Sequence, residues 1–224
     1  MKITDAYLMG LQKSEQNLSN GGIRLDKARF IQLFNECQNK YVSYILEKKN
    51  KDDIRDIQKL VVSSKNLKRS GVIDTPQCYV FSLPKDFFSF IDISGRFSDG
   101  KCSSPMFDLH EVKGENVALL FADHNHKPSF KHRETFYTIG GDGVKIYVDD
   151  FQVQSAFLTY YRYPVQVDIS GYIHSDGRDS VDIDPEFDDK VVNEILDMVD
   201  KQHALNESDF QRFQAGQANV STPK

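Results

Sequence analysis

The sequence predicts an α+β fold: N-terminal and C-terminal helices form a helical bundle, and an antiparallel β-sandwich or barrel-like block is inserted between them. Three observations carry this. Apolar residues recur at steps of three and four up to about residue 62 and again after residue 184. Between those stretches the apolar period is two. The period changes once in each direction, so helices and strands are segregated in the chain and a βαβ alternation is not expected.

The expected division follows from that order. Residues 1–62 form an N-terminal helical segment, 63–183 a β-rich block with a short helix near 115–122, 184–214 a C-terminal helix that packs on the N-terminal helices, and 215–224 a flexible tail.

In the first segment Thr4 is a cap, Tyr7, Leu8, Leu11 and Leu18 follow at helical spacing, and Asn20-Gly21-Gly22 stops the helix. Asp26 caps the next helix, whose stripe is Phe30, Phe34, Cys37, Tyr41, Tyr44 and Ile45. Asp52 or Asp53 starts a short helix carrying Ile54, Ile57, Leu60 and Val61.

In the strand block Tyr79, Phe81 and Leu83 alternate. Phe87, Ile91, Ile93 and Phe97 share one phase up to the turn Ser98-Asp99-Gly100-Lys101, and a strand returns through Met106. Strands are expected at Thr135–Ile139 and at Val144, Ile146 and Val148, joined by Gly140-Gly141-Asp142-Gly143. A long strand places Phe151, Val153, Phe157, Tyr161 and Tyr163 on one face, with Ser155 and Thr159 completing the phase. A polar hairpin turns at Ser175-Asp176-Gly177. Asp184 caps the last helix with Pro185 at its first position, and Phe187, Val191, Ile195 and Val199 form its stripe. Phe210 and Phe213 continue a second helical piece.

A chain of 224 residues supports its own core. Lys plus Arg number 28 against 33 Asp plus Glu, a formal charge of -5. That balance argues against a protein that grips duplex DNA, because phosphate neutralisation supplies most of such affinity. Three widely spaced cysteines, Cys37, Cys78 and Cys102, read as reduced thiols. No apolar run approaches the roughly 20 residues of a membrane span, and the first residues lack a signal-peptide core, so a soluble chain made in the cytoplasm is expected.

The chemistry on offer is sparse. His124, His126 and His132, with Asp123 and His110 nearby, are the candidate metal ligands, since His-x-His on a strand puts both imidazoles on one face. Pro128 follows closely and no HExxH is present, so a solvated polar loop is the plainer reading. No G-x-S-x-G nominates a nucleophile, and Gly140–Gly143 leads into a strand, which makes it a turn and not a phosphate cradle. The basic run Lys65, Lys68 and Arg69 is a candidate binding surface, with a solvated connector as the plainer reading. Alternation splits Tyr160, Tyr161 and Tyr163 over two faces, so a stacking platform is not expected.

Several segments occur in a telling order: Asn39-Lys40-Tyr41-Val42, the helix Asp53–Leu60, Leu83-Pro84-Lys85-Asp86-Phe87-Phe88, Asp123–Pro128, the strand Val144–Val148, Leu158-Thr159-Tyr160-Tyr161-Arg162-Tyr163-Pro164, the helix Phe187–Asp200 and Gln211-Arg212-Phe213-Gln214. In order and spacing they resemble the head-to-tail adaptor and ring (neck) proteins of short-tailed phages, the crAss-like phage type in particular.

The resemblance implies a structural virion protein of the neck, synthesised in the host cytoplasm. It would be a connector subunit that forms a dodecameric ring under the portal, links capsid to tail and surrounds part of the DNA conduit used in ejection. It implies no catalytic residue, no cofactor and no metal. Its implied partners are copies of itself, the portal protein and other neck and tail proteins. Genomic DNA passes through without sequence-specific binding, and no membrane is involved. Lys65, Lys68, Arg69, Phe210 and Phe213 are the interface candidates, with the tail after residue 214 as a docking arm. Two other readings stand beside it: a metal-dependent enzyme using His124, His126 and His132, and a β-sandwich module that binds a glycan or protein as a monomer.

Overall fold

The computed structural model describes residues 1–15, 25–48, 54–74, 77–100, 104–141 and 143–206. The fold is mixed α+β, and the chain divides into two compact units. One comprises the described residues of Met1–Leu60 and Pro164–Lys224, the other Val61–Tyr163. The segment 164–183, expected in the strand block, therefore belongs with the helices.

The helical unit contains α1 (Ile3–Glu15), α2 (Lys27–Lys48), a 3-10 helix (Arg55–Leu60) and, from the other end of the chain, α4 (Asp189–Asn206). Asp26 caps α2 as its sequence suggests, its Oδ1 accepting the Arg29 N–H at 2.8 Å. The buried face of α2 includes Phe30, Phe34, Cys37, Tyr41 and Ile45, and α4 contributes Val191, Ile195, Leu196 and Val199. Tyr44 departs from the expected stripe; it is 52% exposed with the Lys48 ammonium over its ring.

α1 buries a different face from the one its large apolar residues mark. Ile3, Ala6, Gly10 and Ser14 are buried, whereas Leu8 is 58% exposed. Small residues at these positions allow close approach: a Cβ on Gly10 would lie 2.8 Å from Cε2 of Phe30.

Both helix starts at the chain ends correct the sequence reading. Asp184 does not cap α4, which begins at Asp189. Its Oδ1 instead accepts the N–H of Ile3 at 2.8 Å, satisfying a free donor at the start of α1. Asp184→Ala is expected to lower stability by about 1 kcal/mol, as loss of a cap does; a denaturant midpoint measures it.

The strand unit holds β1 (Val61–Asn66), β2 (Lys68–Asp74), β3 (Gln77–Ser82), β4 (Phe87–Ser98), β5 (Met106–Glu111), α3 (Val117–Ala122), β6 (Glu134–Gly140), β7 (Gly143–Tyr147) and β8 (Gln152–Arg162). The strand order is β1-β8-β4-β5-β6-β7-β3-β2. Its two terminal strands, β1 and β2, are consecutive in the chain and meet at Leu67, whose N–H reaches the Ala156 carbonyl at 2.9 Å. Strand β5 belongs to both halves of the order: Phe107 pairs with Gly95 of β4, and Asp108 onward pairs with β6.

The β5–β6 pairing is parallel, unlike every other pairing between these strands. It is bridged by α3, so one β-α-β crossover exists where none was expected. One apolar cluster joins residues from β3 through β8, including Phe81, Phe97, Phe107, Ile146, Leu158 and Tyr160. A second, of Val117 with Cys78, Phe136 and Tyr147, lies under α3, with Phe121 packed against it.

β-bulges overturn the expected phases of β4 and β8. Between Arg96↔Ser155 and Phe97↔Val153 the ladder skips Gln154. Beyond it the inward residues are Ala156, Leu158 and Tyr160, all at most 1% exposed, not Phe157, Tyr161 and Tyr163. The ladder also skips Phe88 and Ile91 on β4, so Ile91 is 39% exposed while Phe90 packs on the core. One extra residue moves every following side chain to the other face.

Cys37 and Cys78 are buried free thiols, and Cys102 lies outside the described residues. No helix among the described residues is long and apolar enough to cross a membrane.

Candidate functional site

The histidine-rich stretch is a turn, not a strand. Helix α3 ends at Ala122, and Asp123 organises the turn that leaves it. Its Oδ1 accepts the Asn125 N–H at 2.9 Å and its Oδ2 pairs with Nδ1 of His126 at 2.7 Å. These two hydrogen bonds hold the Asp123 carboxyl below the usual carboxylate range, the backbone one contributing most. His124 and His132 are exposed, and the described residues contain no group of three His, Cys, Asp or Glu placed to hold a metal ion. The plainer reading of this stretch, a solvated polar loop, is what the backbone adopts, and it leaves no strand on which His124 and His126 could share a face.

His126 does border a cleft of about 170 Å³. His110 and Glu134 come from the parallel β5–β6 pair, in which His110 is opposite Phe136. His126, Lys127 and Pro128 form the other lip. Val112, Leu120 and Phe136 supply an apolar floor. The Lys127 ammonium is tethered to Asp149 at 2.6 Å, and that hydrogen bond, with the added charge attraction, raises its pKa.

The basic run lies where β1 passes into β2. Lys65 and Lys68 are exposed. Arg69 is engaged within its own unit: its guanidinium donates to the Val153 carbonyl and lies 4.4 Å from the ring centroid of Tyr79. Register shifts follow Val62 and Arg69, and Ser64 adopts a φ of 50°. Bulges and lysines on a terminal strand are devices that discourage edge-to-edge pairing. We therefore read Arg69 as a structural clamp and Lys65 and Lys68 as edge protection. Arg69→Ala is expected to lower the stability of the strand unit by about 1–2 kcal/mol, from the lost carbonyl bond and ring contact; thermal unfolding followed by tyrosine signals checks it.

One densely connected polar group has no signal in the sequence. The Asp168 carboxylate, in a residue 7% exposed, accepts four hydrogen bonds. Its Oδ1 takes the Ile169 N–H at 2.9 Å and the Tyr172 hydroxyl at 2.8 Å. Its Oδ2 takes Nε2–H of His174 at 3.0 Å and the Val181 N–H at 3.1 Å. A carboxylate only accepts, so the His174 proton sits on Nε2. Burial pushes the Asp168 pKa up, but the hydrogen bonds, His174's first, outweigh it and bring it down to about 2. Burial, then the bond to Asp168, pushes the Tyr172 hydroxyl up to about 12.

This knot braces a segment without helix or ladder. Asn35 of α2 bridges the Val167 backbone, donating to its carbonyl at 3.0 Å and accepting from its N–H at 2.9 Å. Gln38 donates to the Val165 carbonyl at 3.1 Å. The expected turn at Ser175-Asp176-Gly177 is present, with Gly177 at a φ of 84°. No periodicity marks Asp168, Tyr172 and His174 as partners, because they converge through irregular backbone.

Phe210 and Phe213 lie outside the described residues, as does the tail from 215. No family model matches the chain, and no curated protein matches it.

Proposed function

We propose that this chain is a structural connector subunit of a tailed-phage neck, assembling as a ring on the portal and surrounding the path of the genome. In this reading the helical unit is the bundle that forms the ring body, and the strand unit is an inserted sandwich or barrel-like block that reaches the next layer of the tail. The observation that carries it is the form of the insertion. The strand unit leaves the helical unit after Leu60 and returns at Pro164, and its entry and exit lie side by side, since Val61 pairs with Tyr161. A module entered and left at one point can reach another layer without disturbing the body that holds it.

Two further features support the reading. The segment order from Asn39 to Gln214 resembles that of phage neck proteins. The net charge of -5 suits a conduit that must release DNA.

Co-expression with the portal protein of the same phage tests the proposal. The purified chain should be monomeric alone and should add to the portal as a closed ring, with a matching mass increase by native mass spectrometry. A chain that ignores the portal and turns over a small substrate would overturn it.

A further inference from the structure

We propose that the cleft bordered by His110 and Glu134 binds a small amphipathic cation, a primary ammonium or guanidinium on a short hydrocarbon chain. The site lies within the strand unit and is independent of the ring reading.

The apolar body of such a ligand has a place. His110 is opposite Phe136 in the parallel β5–β6 pair, and Glu134 precedes Phe136 by two residues, so the three share one face. Phe136, Val112 and, from α3, Leu120 floor the cleft with apolar surface. Its volume of about 170 Å³ lies below the roughly 300–1,000 Å³ of drug-sized sites, so the body is a few carbons long.

Charge decides the head group. The basic side chains on the lip are already engaged, Lys127 by Asp149 at 2.6 Å and His126 by Asp123 at 2.7 Å. Lys131 and Arg133 are close in sequence but do not line the cleft. Glu134 does line it and is exposed, and its carboxylate makes no hydrogen bond or ion pair among the described residues. One lysine and one histidine therefore stand against the carboxylates of Glu134, Asp149 and Asp123. An anion would be repelled by Glu134, whereas an ammonium or guanidinium pairs with it, and the His110 imidazole can accept a second N–H. A bare metal ion fits poorly, since it would leave the apolar floor unused and the described residues place no three ligands around one point. Few atoms are buried and solvent screens the charge, so the affinity is on the order of millimolar.

The test is a nuclear magnetic resonance titration of the full-length chain, with n-butylammonium as the probe and 1-butanol and butyrate as its neutral and anionic counterparts. n-Butylammonium should shift the backbone signals of Val112, Leu120 and Glu134 saturably, and 1-butanol should bind about tenfold more weakly. Glu134→Gln should weaken n-butylammonium binding about tenfold and leave 1-butanol unchanged, which separates a lost charge from a lost fold. Added salt should weaken n-butylammonium binding to the unmodified chain as well. N-acetyl-lysinamide distinguishes the two sources of this chemistry: binding tighter than that of n-butylammonium assigns the site to a lysine side chain of a partner, and weaker binding assigns it to a free amine. Equal binding of n-butylammonium, 1-butanol and butyrate overturns the proposal. So does equal binding of n-butylammonium to the unmodified chain and to Glu134→Gln, or shifts confined to other residues. Portal assembly is read separately, so none of these outcomes decides the connector reading.

Discussion

Gly143→Ala should destabilise the strand unit by about 3 kcal/mol or more, at or above the top of the ordinary range for a single substitution. Two costs combine. Gly143 has a φ of 123°, where a side chain is strained by about 1–3 kcal/mol. An added Cβ would also stand against the carbonyl oxygen of Phe81, which is backbone and cannot rotate away. Phe81 is 2% exposed and pairs with Val144, so relief would pull β3 and β7 apart at the core. Gly177→Ala is the matched control: its φ is 84° but nothing lies within 4 Å of an added Cβ. It should show the strain without the collision, a loss of about 1 kcal/mol. Denaturant unfolding of both variants, read by near-ultraviolet circular dichroism of tyrosine, separates the two costs. Equal losses would refute the steric argument.

Asp168→Asn should loosen the 164–183 segment and cost the helical unit about 2–4 kcal/mol, because four donors then meet a neutral amide that itself donates. The pH dependence gives a sharper check. The folded pKa of Asp168 is about 2, below the ordinary carboxylate value of 3.8. The ionised form is therefore favoured by folding. Its contribution, about 2 kcal/mol, is fully present above pH 4 and is lost as pH falls from about 4 through 2. The unmodified chain should lose that stability in acid, and Asp168→Asn should lack this part of the slope. Identical acid profiles would mean that the carboxylate does not hold the segment.

The sequence reading succeeded where one residue's local chemistry was sufficient. Asp26 capping α2, the glycine-rich turn before Val144 and the hairpin at Gly177 follow from side-chain reach and allowed φ. It failed where geometry depends on a neighbour. Nothing in β8 announces that Gln154 will be skipped, so Tyr161 was placed inward and Tyr160 outward. Gly10 lies on the buried face of α1 because the Phe30 ring takes the space a side chain would need, not because it is apolar. Asp184 has the form of a cap and is one, for a helix at the other end of the chain.

The candidate cleft was half visible for the same reason. His126 stood out by its spacing. Its counterpart His110 and its apolar floor depend on the parallel β5–β6 pairing, whose two strands are separated by α3 and a turn. The Asp168 knot left no trace, since no repeat links residues that meet through irregular backbone.

A reconstruction of intact particles by electron microscopy tests the connector reading most directly. Density at the neck, directly under the portal, should accommodate a closed ring of this chain, with the strand units facing the tail. Density there filled by other proteins, with this chain absent from purified particles, would contradict it.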